Sequence, residues 1–264
     1  MDSGSVVPEG DTVYRTAAQL HRALAEDTVT RWDLRVPSFA TSDLRGEEIH
    51  EVVSRGKHIL HRVGDFTLHT HLKMEGSWHL YRPGSRWRRP DHTVRAVVGT
   101  ESWIGVGFDL GVTELIPRDR EDDVVGHLGP DLLGPDWNAV EAVDRLSSDP
   151  AKPLAVALLD QRNLAGVGNV FANEICFLRG ALPTRPVGDV DVVRTVDLAH
   201  RLLQANRDRA ERTTTGDTRP GRQVWVYGRD GTPCRRCGTR IERGELGADE
   251  LSLRVTYWCP YCQT

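Results

Sequence analysis

The sequence predicts an α+β protein: an N-terminal helix plus an antiparallel β-sandwich, then an α-helical domain closed by a C-terminal β-hairpin. Three observations carry that reading. Within residues 9–26 the apolar residues Val13, Ala17, Leu20 and Leu24 recur at the spacing of one helix face. Between residues 29 and 116 short apolar runs are separated by Gly and Pro, the texture of antiparallel strands. Beyond residue 137 the helical period returns, and the last forty residues alternate apolar and polar residues around four cysteines.

The first helix follows Pro8, and Glu9 and Asp11 give it an acidic first turn suited to the positive end of a helix dipole. Residues 29–36, 58–63, 66–72 and 93–98 read as strands of the sandwich, which gives a first domain over 8–117. Residues 118–136 are charged and contain Gly129-Pro130 and Gly134-Pro135, so they read as the interdomain linker. Helices are expected at 138–146, 153–160, 169–178 and 190–209, within a second domain over 137–222. Residues 212–222 contain no apolar side chain, which predicts a mobile loop. Residues 223–264 form the terminal hairpin.

At 264 residues with 39% hydrophobic and 27% charged residues, the chain can bury a real core, which excludes a disordered or fibrous protein. No stretch approaches the roughly 18 apolar residues of a membrane span, and the N-terminus lacks the basic-then-apolar pattern of a signal peptide. A cytoplasmic protein is therefore expected. Five cysteines, four of them near the C-terminus, are too few and too local to staple the chain by disulfides, in keeping with a reducing compartment.

The formal charge of −4 hides an uneven distribution. Residues 55–95 carry nine Lys and Arg against three Asp and Glu, residues 96–150 three against twelve, and residues 201–254 twelve against eight. Two basic regions separated by an acidic one can make a positive face on an acidic protein, although solvated surface alone also accounts for such charges. Of the 34 basic residues only Lys57, Lys73 and Lys152 are lysines. Each is a candidate for a role that needs a compact ammonium or a titratable amine, which a guanidinium does not supply.

The strongest chemical signal is Cys234-Arg-Arg-Cys237 followed by Cys259-Pro-Tyr-Cys262. Two C-x2-C pairs at this separation can converge on one structural zinc ion, and a short tail with little core needs such a staple. Cys176, alone in a helical run, reads as a small core residue. A second signal is 159–175, two helical stretches joined by Gly166-Val-Gly168, with Asn169 as the expected N-cap of the second. A glycine turn permits close backbone approach, and a helix N-terminus offers N–H groups to an anion such as phosphate.

Taken with Pro8-Glu-Gly-Asp11, Arg55-Gly-Lys57, His71-Leu-Lys-Met-Glu-Gly76, Ala151-Lys-Pro153, Tyr227-Gly-Arg-Asp-Gly-Thr-Pro-Cys234 and Arg254-Val-Thr-Tyr-Trp-Cys259, these motifs resemble the formamidopyrimidine-DNA glycosylase and endonuclease VIII family from Pro8 to the C-terminus. The resemblance implies a helix-two-turn-helix domain and a zinc-finger hairpin that grip damaged DNA. It implies a bifunctional glycosylase and AP lyase, in which Pro8, as a free N-terminal secondary amine, attacks C1′ of the damaged nucleotide. Glu9 would protonate the opening sugar, Lys57 would contact phosphate and move protons, and Arg254 would bind the flanking phosphates. Asn169 and Gly168 would hold phosphate, Met74 and Lys73 would fill the space left by the flipped nucleotide, and His127 and Lys152 would add DNA contacts. The partner would be damaged double-stranded DNA, with single-stranded DNA as an alternative, and the protein a monomer bound to the nucleoid.

Two departures from the pattern shape the expectation. Seven residues precede Pro8, which would leave its nitrogen an amide without a nucleophilic lone pair. Val7 as the true initiator, read from a GTG codon and removed before Pro8, resolves this. The segment Phe108-Asp-Leu-Gly-Val-Thr-Glu114 lacks the Arg and Phe that the formamidopyrimidine branch places opposite the lesion, and the tail 257–263 looks like endonuclease VIII. Oxidised pyrimidines and abasic sites are the expected substrates. Oxidised purines are the alternative, as is non-catalytic binding of damaged DNA if Pro8 stays blocked.

Overall fold

The computed structural model describes residues 8–264 and divides them into two compact units. The proposed start at Val7 lies outside the described residues. One unit comprises Pro8 and residues 12–127, the other residues 9–11 and 128–264, so the boundary near the N-terminus runs between Pro8 and Glu9.

Helix α1 (Gly10–Leu24) extends into the first unit, where it buries Val13, Ala17, Leu20 and Leu24, the stripe expected from the sequence. Strands β1 (Arg31–Leu34), β2 (Ile49–Arg55), β3 (His58–Val63), β4 (Phe66–His71), β5 (Ser77–Tyr81), β6 (Val94–Gly99), β7 (Ile104–Phe108) and β8 (Val112–Pro117) form two four-stranded sheets. Their orders are β1-β6-β7-β5 and β2-β3-β4-β8, with antiparallel pairing throughout. A core that includes Leu20, Leu24, Trp32, Ile49, Ile59, Leu68, Trp78 and Val98 draws on both sheets and on α1, as a sandwich with a helix laid on it requires.

The expected linker is not a plain connection. It carries the short helix α2 (Asp122–Val125), the unit boundary falls at His127, and Leu128, Leu132 and Leu133 are buried. Its Gly-Pro pairs therefore mark turns in a segment whose leucines belong to the core of the second unit.

The second unit contains α3 (Ala139–Ser147), α4 (Leu154–Leu159), α5 (Asn169–Arg179), α6 (Val192–Asn206) and a hairpin of β9 (Glu242–Leu246) and β10 (Arg254–Trp258). Asn138 caps α3 through its side chain and Asp191 caps α6. Helix α5 is almost wholly buried, including Phe171, Ile175, Cys176 and Phe177, which places Cys176 in the core as expected. No helix among the described residues is long and apolar enough to cross a membrane.

Candidate functional site

The residues singled out by sequence fall into two groups, one in each unit. In the second unit the site is built on the start of α5. The chain turns after α4 through Gly166, whose φ of 106° is open to glycine. Gln161 braces this turn by donating to the Leu159 and Val167 carbonyls while accepting from the Gly166 N–H. Gly10 then lies against it, its N–H donating to the Gly166 carbonyl at 2.9 Å, and a Cβ at Gly10 would stand 2.8 Å from the Gly166 Cα.

That contact brings Glu9 onto the helix N-terminus. Its carboxylate accepts N–H bonds from Gly168 (3.0 Å), Val170 (2.7 Å) and Phe171 (3.3 Å), and the side chain is fully buried. The expectation that these N–H groups would face a phosphate is thereby corrected: the anion they hold is Glu9, which the helix dipole also favours. Asn169 is likewise not the cap. Gly168 is, and Asn169 is the first helical residue, with its amide donating to the Val255 carbonyl at 2.9 Å in the terminal hairpin.

Arg212 meets the same place from the far end of the unit. Its guanidinium is bidentate on Asp11, at 2.8 and 2.5 Å, and its third nitrogen lies 3.6 Å from Glu9. The predicted mobile loop is corrected here, because Arg212, Thr213 and Thr214 are buried. Thr213 bonds to Asn206 through its N–H, and Thr214 donates its hydroxyl to Glu174. Residues that read as purely polar are buried because their partners are polar too.

Glu174 was not singled out by sequence. It is a fully buried carboxyl that also accepts N–H bonds from Trp225 (2.7 Å), Val226 (2.9 Å) and Tyr227 (2.9 Å). Burial pushes its pKa up, against the pull of Thr214 and these three donors. The signal for it was present: a single carboxylate inside the apolar helix Asn173-Glu-Ile-Cys-Phe177 must find partners. Tyr227 is held beside Glu9 by this arrangement, and burial, then Glu9, then Tyr257 push its phenol above the usual range.

Also in this unit, Arg254 is exposed at the start of β10, and Lys152 sits 3.7 Å from Asp160. The four sulfurs of Cys234, Cys237, Cys259 and Cys262 lie within 4.8 Å of one another, with Cys237 to Cys259 at 3.4 Å and Cys234 to Cys262 at 4.0 Å. Four thiolates about 2.3 Å from a tetrahedral ion would be spaced by just under 4 Å, so this donor set fits a metal ion.

In the first unit Lys57 occupies the turn between β2 and β3, after Gly56 at φ 59°. Lys73, at φ 53°, and Met74, 57% exposed, follow β4. Around them stand four histidines. His69 Nδ1 lies 3.1 Å from the Glu114 carboxylate, so it carries the proton there, and its Nε2 accepts from His58 Nδ1 at 2.7 Å. His71 Nδ1 accepts the Lys73 N–H at 2.8 Å, which leaves its proton on Nε2. His127 is 6.4 Å from His58, ring centre to ring centre. Burial and the charge of His71 push the His58 pKa down to about 3, and burial with Lys73 and Lys57 pushes His71 to about 4. Lys57, Lys73, His71 and His127 are thus one neighbourhood, in which the His58 and His71 imidazoles are neutral at pH 7. The sequence showed the two lysines and His127 but not the Glu114–His69–His58 chain behind them.

Residues 7–104 match the family described as formamidopyrimidine-DNA glycosylase N-terminal domain. A DNA-(apurinic or apyrimidinic site) lyase Nei2 of Mycolicibacterium smegmatis is 53% identical, across 98% of this chain and 99% of its own. A probable endonuclease 8 2 of Streptomyces coelicolor is 50% identical, across 97% and 94%. A formamidopyrimidine-DNA glycosylase of Heliobacterium modesticaldum is 33% identical, across 97% and 99%. Among solved structures, MutM in complex with DNA containing carbocyclic 8-oxo-G superposes with a TM-score of 0.80 at 22% identity, covering 97% of this chain and all of that one. Lactococcus lactis Fpg bound to DNA with an abasic site gives 0.79 at 22%, covering 97% and 99%. These two likenesses concern the fold.

Proposed function

The chain belongs to the formamidopyrimidine-DNA glycosylase and endonuclease 8 family, and we propose that it is a base-excision-repair glycosylase with AP lyase activity on oxidised pyrimidines and abasic sites. The observation that carries the reading is Glu9, a buried carboxyl beside Pro8, fixed by three backbone N–H groups at the start of α5. A group held so firmly can hand a proton to one defined atom.

The nucleophile is Pro8, its nitrogen free because translation starts at Val7 and that initiating residue is clipped. The family match opens at residue 7, one place before it. An α-amino group of ordinary pKa near 7.8 is about 15% neutral at pH 7, several hundredfold more than a lysine. Its lone pair bonds to C1′ as the base leaves, and the amine proton passes to the Glu9 carboxylate. The C1′–O4′ bond then opens, O4′ takes a proton from Glu9, and a charged iminium remains. That iminium draws off the 2′ proton, and the 3′ phosphate leaves, so cleavage of the strand follows excision. Lys57, backed by neutral histidines, moves these protons, and Arg254 holds the flanking phosphates and assists a second elimination on the other side.

Lys73, Met74, His127, Lys152 and Asn169 add contacts to damaged duplex DNA, with α4 and α5 as the helix-two-turn-helix. Cys234, Cys237, Cys259 and Cys262 hold one zinc ion, whose chemistry is structural, closing the hairpin. The absence of an Arg and a Phe from residues 109–114, after Phe108, supports pyrimidine lesions over 8-oxoguanine.

The test is borohydride trapping on an abasic-site oligonucleotide. Protein beginning at Pro8 is expected to trap, while protein beginning at Met1 and a Pro8→Ala variant are not. Trapping by all three moves the nucleophile to another amine, Lys57 first, and trapping by none favours a protein that binds damage without cutting it. Comparing dihydrouracil with 8-oxoguanine duplexes then decides the lesion class.

A further inference from the structure

We propose that Arg212 is a positioning residue for base excision, acting through Glu9; the inference rests on the role given to Glu9 above. Arg212 is buried, as are Thr213 and Thr214 after it, and it faces two carboxylates with one guanidinium. Asp11 takes the edge made by Nε and Nη2, at 2.8 and 2.5 Å. The remaining nitrogen, Nη1, points to Glu9 Oε1 at 3.6 Å, and that oxygen also accepts the Val170 N–H. The plane of the guanidinium is set from behind by Phe171, whose ring centre is 4.8 Å from Cζ and whose own N–H donates to the other Glu9 oxygen.

A group kept only to neutralise Asp11 would need none of this aim. The backbone that carries Arg212 is fixed from two sides: Thr213 N–H donates to Asn206 Oδ1 at 2.7 Å, and Thr214 donates to Glu174. Asp11 then locks the rotamer, which carries the third nitrogen to within 3.6 Å of Glu9. A flat fork with separate faces for two carboxylates is a task for arginine rather than lysine. Arg212, Tyr227 and the N-terminus of α5 face Glu9, and Asp11 lies on the far edge of the same guanidinium.

The reaction supplies a readout that separates this role from simple support of the fold. Opening the sugar of an intact nucleotide needs an acid at O4′. A preformed abasic site exists partly as the open aldehyde and reaches the Schiff base without it. A residue that works through Glu9 should therefore affect excision and spare cleavage of an abasic site.

The experiment measures single-turnover rates of the borohydride-competent form on a dihydrouracil duplex and on an abasic duplex, with Arg212→Met and Arg212→Lys. Arg212→Met is expected to lose about 100-fold in excision, the lower range for a general acid, with abasic cleavage within a few-fold of the parent. Arg212→Lys is expected to recover about tenfold of the loss, since it returns the charge without the fork. Equal losses on both substrates, or no loss on dihydrouracil, would overturn the proposal. Should Arg212→Met not fold, Arg212→Lys alone decides it, because an unequal loss is expected there and an equal one refutes it. Failure of the parent protein to trap or excise would instead remove the reading of Glu9 on which the inference stands.

Discussion

A Cβ built on Gly168 would stand 2.3 Å from the Glu9 Cδ, so the carboxylate occupies the space that any side chain at position 168 would take. Gly168 has an ordinary negative φ of −116°, which means that close approach, not backbone conformation, is what requires glycine there.

Gly168→Ala should therefore displace Glu9 from the start of α5 while leaving the turn itself intact. Excision is expected to fall by at least about tenfold, with a loss of roughly 1–3 kcal/mol in stability from the crowding. The check is a urea melt alongside single-turnover kinetics. An alanine variant that excises at the parental rate would show that Glu9 need not sit on this helix.

His61 gives a sign to the pH dependence. It is fully buried against Trp78, ring centres 4.8 Å apart, and burial pushes its pKa down to about 4. Its ordinary value in the unfolded chain is about 6.5. The unfolded state therefore binds the extra proton between these values, so stability present above pH 6.5 drains away as pH falls towards 4, by about 3 kcal/mol for this residue. His61→Phe should flatten that decline. Urea midpoints at pH 7 and pH 4.5 test it, and identical losses in the two proteins would assign acid sensitivity elsewhere.

Removing metal should undo the terminal hairpin but not the whole chain. The apolar cluster under it consists of Phe177, Val226, Ile241 and two of the cysteines themselves, with Trp225 and Tyr257 at its edge. So small a core does not hold a hairpin alone. A strong chelator, or Cys259→Ser, is expected to expose residues 229–264 to protease and abolish DNA binding, while the β-sandwich melts as before. Retained binding after metal loss, measured by metal analysis of the same sample, would contradict this.

Glu174→Ala should release the segment from Thr214 to Tyr227. It leaves three backbone N–H groups without their acceptor and the Thr214 hydroxyl with only the Gln223 carbonyl, at a cost of about 3 kcal/mol or more. Trypsin should then cut at the exposed Arg222 much faster than in the parent protein. Unchanged cleavage would mean that other contacts hold the loop.

What the sequence disclosed follows from how local each signal is. The apolar stripe of α1, the four helices beyond residue 137 and the paired cysteines depend on spacing along the chain, and each was readable. Arg212 and Asp11 are 201 positions apart, and Glu9 and Val170 are 161. Nothing in the neighbourhood of Arg212 announces a distant carboxylate, so a stretch without apolar residues read as open loop. The Glu114–His69–His58 chain is hidden for a similar reason. Each histidine alternates with apolar residues in its strand, and only the antiparallel register, which sets His58 opposite His71 and His69 opposite Glu114, assembles them.

The two ends of the segment gathered by Glu174 have a consequence for how this protein can change. Thr214 and residues 225–227 are tied to one carboxylate, whereas Gly216 and Gly221 have nothing within 4 Å of an added Cβ and Thr218 to Arg222 are exposed. The intervening stretch hangs from a closed knot, so its length and composition can drift without unravelling what lies beneath. Such a stretch is where variants, natural or selected in the laboratory, can explore new preferences while the rest of the molecule keeps its shape.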